Sequence, residues 1–191
     1  MGFFDIFKKN RANDLEPSEI TVVLDEDSIT LNGVSIDIPT HIDVLKKLLG
    51  KPREVVCPKE DTSKNSEEVN RIIEQNLMTR RVNYAWDKLG LYCYTKNGSV
   101  VYTIGIRLHE GEICPKHFPS EFFQGKVSIK GMHWLEAVKT LPNLDADMDF
   151  FMTVDLGLYT AIEEYRDYEQ EPSSRTESDY TDIEIQLNRF H

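Results

Sequence analysis

Asn32-Gly33 stands between two stretches that alternate apolar and polar residues, Ser28-Ile29-Thr30-Leu31 and Val34-Ser35-Ile36-Asp37-Ile38. Asn-Gly tolerates the positive φ angles of a two-residue hairpin turn, so the pair predicts two antiparallel strands in fixed register. Period-two alternation then commits Ile29, Leu31, Val34, Ile36 and Ile38 to one buried face. The following residues change period. Thr40 can cap a helix with Asp43 three residues on; Ile42, Leu45, Leu48 and Leu49 form its apolar stripe, and Gly50 and Pro52 close it. Arg53 to Cys57 reads as a strand. The run therefore specifies hairpin, helix and strand, a scaffold with no chemistry of its own.

The rest of the chain continues in this way. Ile20 to Asp25 reads as a strand leading into the hairpin, and Ser66 caps a helix that places Val69, Ile72, Ile73 and Leu77 on one face. Leu91 to Thr95 and Ser99 to Leu108 flank a second hairpin signal, Lys96-Asn97-Gly98, with Val100, Tyr102, Ile104, Ile106 and Leu108 expected on one face. Glu110 to Gln124 is a long connection. Lys126 to Lys130, Asp149 to Asp155 and Leu158 to Tyr165 read as strands, with a short helix at His133 to Leu141 and an acidic loop at Tyr168 to Glu177. Ile183, Ile185 and Leu187 alternate with Asp182, Glu184, Gln186 and Asn188, which predicts a last strand with one buried and one acidic, solvated face. Val34-Ser35-Ile36 followed by His41 to Leu48 is echoed in Val127-Ser128-Ile129 followed by His133 to Leu141. The fold class expected is α+β, a mostly antiparallel sheet built from hairpins with two or three helices packed on it. We divide the chain into a segment and linker at 1–19 and one domain at 20–191, with 109–125 the place where that domain would subdivide.

Composition limits what such a scaffold can serve. With 40% hydrophobic and 10% aromatic residues, the 191-residue chain can bury a core. Its cysteines, Cys57, Cys93 and Cys114, are odd in number and widely spaced, which argues for a reducing compartment and a cytoplasmic protein. The N-terminal segment lacks the apolar stretch of a secretory signal. Phe3, Phe4 and Phe7 nevertheless share one helical face ahead of Lys8, Lys9 and Arg11, the pattern of a segment that docks at a membrane surface or in a groove. Charge is the least even property of the chain. Residues 145–191 hold 13 acidic residues against 3 basic ones, nearly all of the overall charge of −11. A field of that sign repels nucleic acid and steers a cationic partner.

No arrangement of residues specifies a reaction. His109, Cys114 and His117 are the best metal-ligating set, but the spacing is irregular and the fourth ligand undefined. There is no nucleophile elbow, no Ser-x-x-Lys and no glycine-rich phosphate loop. The carboxylate pairs, Glu163-Glu164 and Glu169 with Glu171, lie in polar surroundings where neither member would be raised in pKa. We expect no catalytic residue and no cofactor. Arg80 and Arg81 are too few for nucleic acid against this net charge. The aromatic cluster Tyr84, Trp86, Tyr92, Tyr94 and Tyr102 offers contact area with polar tips.

The Leu49-Gly50-Lys51-Pro52 turn and the stretch Trp86-Asp87-Lys88-Leu89-Gly90-Leu91 together resemble a family of uncharacterised bacterial proteins, in which a Trp-Asp-x-x-Gly stretch opens a strand hairpin after a Leu-Gly-x-Pro turn. The resemblance spans about residues 28 to 131. Some proteins of that kind look like the immunity proteins that accompany bacterial polymorphic toxins, and the resemblance implies such a role here. The leading expectation is a protein-binding module, an immunity-type inhibitor of a basic toxin domain. An acidic face of Glu163, Glu164, Asp167, Glu169, Glu171, Asp179, Asp182 and Glu184 would attract the partner, and Tyr84 and Trp86 would anchor it. The alternatives are a scaffold at the inner membrane surface, anchored by Phe3, Phe4 and Phe7, and a metal- or cysteine-dependent enzyme.

Overall fold

The computed structural model describes residues 15–56, 81–110, 118–141, 151–156, 159–165 and 172–187. The helix expected from Ser66 lies outside them. After a short 3-10 turn at Pro17–Glu19 the chain enters β1 (Thr21–Asp25), β2 (Ser28–Leu31) and β3 (Val34–Ile36). Asn32 and Gly33 take φ angles of 50° and 77°, the geometry expected of them. Ile29 pairs with Ile36 and Leu31 with Val34, and the β1 to β3 meander buries Val22, Leu24, Ile29, Leu31 and Ile36 on one face.

A two-residue strand, β4 (Thr40–His41), precedes helix α1 (Ile42–Leu49). The cap falls one residue later than expected. Thr40 is held extended by pairing with Val101, so His41 becomes the N-cap and its imidazole accepts a hydrogen bond from the Asp43 amide. Ile42, Leu45 and Leu49 are buried, and Gly50 ends the helix at φ 83°. Strand β5 (Arg53–Val56) follows, then β6 (Arg81–Trp86), β7 (Leu91–Lys96) and β8 (Val100–Arg107). Asn97 and Gly98 make the second hairpin turn with φ angles of 55° and 72°.

Beyond the long connection come β9 (Lys126–Ile129), β10 (Met132–His133) and helix α2 (Trp134–Thr140), then β11 (Phe151–Asp155), β12 (Tyr159–Tyr165) and, after two 3-10 turns, β13 (Tyr180–Leu187). The echo between the two halves has a structural counterpart. The Lys130-Gly131 turn has φ angles of 50° and 77°, matching Asn32-Gly33, and the His133 imidazole caps α2 by accepting from the Leu135 amide, as His41 caps α1.

The strands form two sheets where one was expected. The smaller has the order β10-β9-β1-β2-β3, and its β1–β9 pair is parallel. The larger runs β11-β12-β13-β8-β7-β6-β5, entirely antiparallel, with β4 paired to the start of β8. One hydrophobic cluster draws on both sheets and both helices, from Leu24 and Ile129 in the smaller sheet to Trp86, Ile106 and Ile185 in the larger.

Strand β8 departs from simple alternation. Its register against β7 shifts between Tyr94 and Thr95: Tyr94 pairs with Thr103, but Thr95 pairs with Val101. Tyr102 is the extra residue of a bulge, which reverses the facing of everything before it. Val101 joins Ile104 and Ile106 in the core, whereas Val100 is 39% exposed and Tyr102 half-buried. The expected stripe of Val100, Tyr102, Ile104 and Ile106 is therefore broken at the bulge.

Candidate functional site

The two motifs that carry the family resemblance meet in space. Trp86 is buried and donates its indole N–H to the Gly50 carbonyl at 2.9 Å, so the strand motif satisfies a backbone group of the turn motif. Arg53, just past that turn, grips Asp87 through two hydrogen bonds of 2.8 and 2.9 Å. This fork-to-fork pairing is the strong form of an arginine–carboxylate contact. The guanidinium holds the Asp87 carboxyl below the usual carboxylate range. Asp87 also accepts from the Ser120 amide at 2.9 Å, and Arg53 donates to the Phe118 carbonyl at 2.8 Å, so the clamp pins the 118–125 loop. Gly90 completes the arrangement, because a side chain there would collide with the backbone of Phe122 and Phe123.

The second constellation lies on the face of the larger sheet turned away from the hydrophobic cluster. Tyr92 is 0% exposed, and its ring lies over Gly105, where a Cβ would overlap it. The missing side chain lets the phenol cross from β7 to β13, where it donates toward Asp182 Oδ2 at 2.9 Å and Glu184 Oε1 at 3.0 Å. Burial, and then the charges of Glu184 and Asp182, raise the Tyr92 pKa well above its ordinary value, so the phenol keeps the proton that both carboxylates use. Tyr94 is raised by the same causes, burial first and Glu184 next. Tyr94 packs edge-on to Tyr92 with centroids 5.5 Å apart, and Phe118 packs edge-on from the loop at 5.0 Å. Asn83, also on this face, is buried with no hydrogen-bond partner for its Oδ1 among the described residues.

These positions revise the sequence-based site. Tyr84 and Trp86, expected as surface anchors, are 6% and 4% exposed and belong to the core, since alternation in β6 turns them inward. Asp182 is 5% exposed and Glu184 half-buried. The solvated acidic face expected of β13 is instead covered at this end, because the strand is interior to its sheet and its carboxylates meet Tyr92. Asp179 is half-buried and closes a capping box with Thr176. Glu163 and Glu164 lie on β12 in register with Ile183 and Asp182. Asp167, Glu169 and Glu171, like Phe3, Phe4 and Phe7, lie outside the described residues.

Of the metal-ligating set, His109 is half-buried, with its ring 6.1 Å from that of Phe122, while Cys114 and His117 lie outside the described residues. No group of three or more His, Cys, Asp or Glu that could hold a metal ion occurs among the described residues. Cys93 faces the core with no exposed surface, and burial pushes its thiol up to about 12, so it stays protonated at neutral pH. No helix among the described residues is long and apolar enough to cross a membrane.

Sequence reasoning missed the Arg53–Asp87 clamp and the reach of Tyr92 to β13. The first had a signal in the Trp-Asp and Pro-Arg dipeptides; the second had none, because residues 92 and 182 are joined only by the sheet. A family model described as a domain of unknown function, DUF7738, matches residues 21–141. No curated protein and no solved structure matches the chain.

Proposed function

We propose, for a chain that belongs to the DUF7738 family, that the protein acts by binding a basic protein, as an immunity-type inhibitor binds a basic toxin domain. The observation that carries this reading is the concentration of 13 acidic against 3 basic residues in 145–191. Strands β11, β12 and β13 from that region form one flank of the larger sheet, beyond the residues matched by the family. Negative charge on a rigid flank raises the local concentration of a cationic partner and speeds its encounter.

The acids divide into two groups. Asp182 and Glu184 bond Tyr92 inside the protein, so their contribution to binding is through the fold. Glu163, Glu164, Asp167, Glu169, Glu171 and Asp179 are left as the steering set, joined by the exposed Glu177. Reversing Glu163, Glu164, Glu169 and Glu171 to lysine should slow association with a basic partner and flatten its salt dependence. The check is a pull-down from native lysate eluted by salt, followed by stopped-flow association with the partner recovered. Association that is unchanged in the reversed variant would overturn the reading.

A further inference from the structure

We infer that the edge of β8 facing away from β7 is a strand-receiving site, and that it selects β13 by the carboxylates of Asp182 and Glu184. It is separate from the proposed binding of a basic protein and does not depend on it. The family match ends at residue 141, so β8 lies inside the matched unit and β13 outside it. Two elements share the edge. Thr40 and His41 of β4 pair with Val101 and Val100 at its start, and from Thr103 to Arg107 the partner is β13. The seam continues past the strand, where the amides of Leu108 and His109 both donate to the Thr181 carbonyl, at 2.8 and 3.0 Å. Main-chain pairing of this kind accepts almost any sequence. In strand addition the side chains at alternate positions supply the selectivity.

Residues of the family unit meet both sides of the incoming strand. On the core side, Ile183 and Ile185 stand opposite Ile106 and Ile104 and have no exposed surface. Tyr180 packs edge-on against Trp134 with centroids 5.2 Å apart, just before them. Such contacts suit many apolar strands.

The other side is more selective. Glu184 stands opposite Gly105, and because Gly105 has no side chain the Tyr92 ring passes over it from β7 to reach both Glu184 and Asp182. Tyr92 and Gly105 belong to the family unit, whereas the two carboxylates that complete the arrangement come from outside it. A bond from a buried phenol to an ionised oxygen is about twice as strong as one to a neutral oxygen. The edge therefore prefers a strand with the order acid-aliphatic-acid-aliphatic, as in Asp182-Ile183-Glu184-Ile185. Neutral amides at 182 and 184 would keep the main-chain pairing and the isoleucine contacts and lose the charge-assisted bonds.

The test uses the whole chain in two pieces. A protease recognition sequence inserted after Asn143 is cut in the folded protein, and the pieces are separated in urea and remixed by dilution, in conditions where the uncut chain refolds. Both tryptophans, Trp86 and Trp134, lie in the N-terminal piece, and Trp134 touches Tyr180, so their emission follows the rejoining of the seam. The expected result is that the titrated C-terminal piece restores the emission of the cut protein. A piece carrying Asp182→Asn and Glu184→Gln should bind at least about tenfold more weakly, and one carrying Gln186→Ala within about twofold of wild type. With Tyr92→Phe in the N-terminal piece, the preference for the acidic over the neutral strand should shrink to about twofold or less. Pieces that rejoin in no combination would overturn the strand-receiving edge. Equal binding of the acidic and neutral strands, or an acid preference that persists in Tyr92→Phe, would overturn selection through the Tyr92 bonds.

Discussion

Across β6, β7, β8 and β13 the two faces of the larger sheet both bury side chains, but by different physics. One face carries Trp86, Leu91, Cys93, Ile104, Ile106, Ile183 and Ile185 into the hydrophobic cluster. The other carries Asn83, Tyr92, Thr103 and Asp182, with Tyr94 and Glu184 half-buried beside them. Apolar burial is non-directional, whereas a buried polar group must keep its partner or leave the cost of its desolvation uncompensated. Alternation of apolar and polar residues therefore marks which face is oily, not which face is wet.

The largest expected effect is on the apolar face. Ile106→Ala should destabilise the protein by about 2–5 kcal/mol, read as a lower midpoint in urea, because Ile106 is fully buried and its removal leaves a cavity. On the polar face, Tyr92→Phe keeps the ring and deletes one oxygen, and should cost about 1–3 kcal/mol by removing a buried donor that Asp182 and Glu184 share. A double-mutant cycle with Asp182→Asn sharpens this: strict additivity of the two changes would show that the faces do not differ in kind.

Gly105→Ala should cost about 1–3 kcal/mol, with most of the loss recovered when Tyr92 is replaced by leucine, since the clash is with that ring. A cost independent of residue 92 would argue against the crossing of the phenol over Gly105.

Smaller effects test what lies at the margins of the two faces. The folded pKa of Asp87 lies below its unfolded value, so the Arg53 clamp contributes full stability above the ordinary aspartate range of about 4 and loses it as pH falls through the lowered value. Hydrogen exchange at the Ser120 and Glu121 amides should rise over that window in wild type, and Asp87→Asn should raise it already at neutral pH. The least disruptive probe is chemical. With Cys57 and Cys114 replaced by serine, the Cys93 thiol should resist a thiol reagent at pH 8 until the protein is unfolded, because it is buried and its pKa lies near 12.

Local signals carried much of the architecture. Asn32-Gly33 and Asn97-Gly98 marked two of the hairpin turns because Asn and Gly accept the required φ more readily than other residues. Ile42, Leu45 and Leu49 marked the inner face of α1, and Trp134, Ala137 and Val138 fill that role in α2. The candidate site was much less legible. Tyr84 and Trp86 look alike as surface anchors and as core residues when only composition is read, and only their place in an interior strand separates them.

The local sequence determined the two Asn-Gly turns, the apolar stripe of α1, the burial of Ile183 and Ile185 in β13 and the acidity of residues 145–191, since each depends on residues close together in the chain; Leu187, expected on the same buried face, is 38% exposed. Tertiary structure decided the parallel pairing of β1 with β9, the bulge at Tyr102 and the burial of Asp182 beneath Tyr92. These depend on which distant strand becomes a neighbour, and hydrogen bonding and packing between strands select that neighbour only when the whole chain has folded.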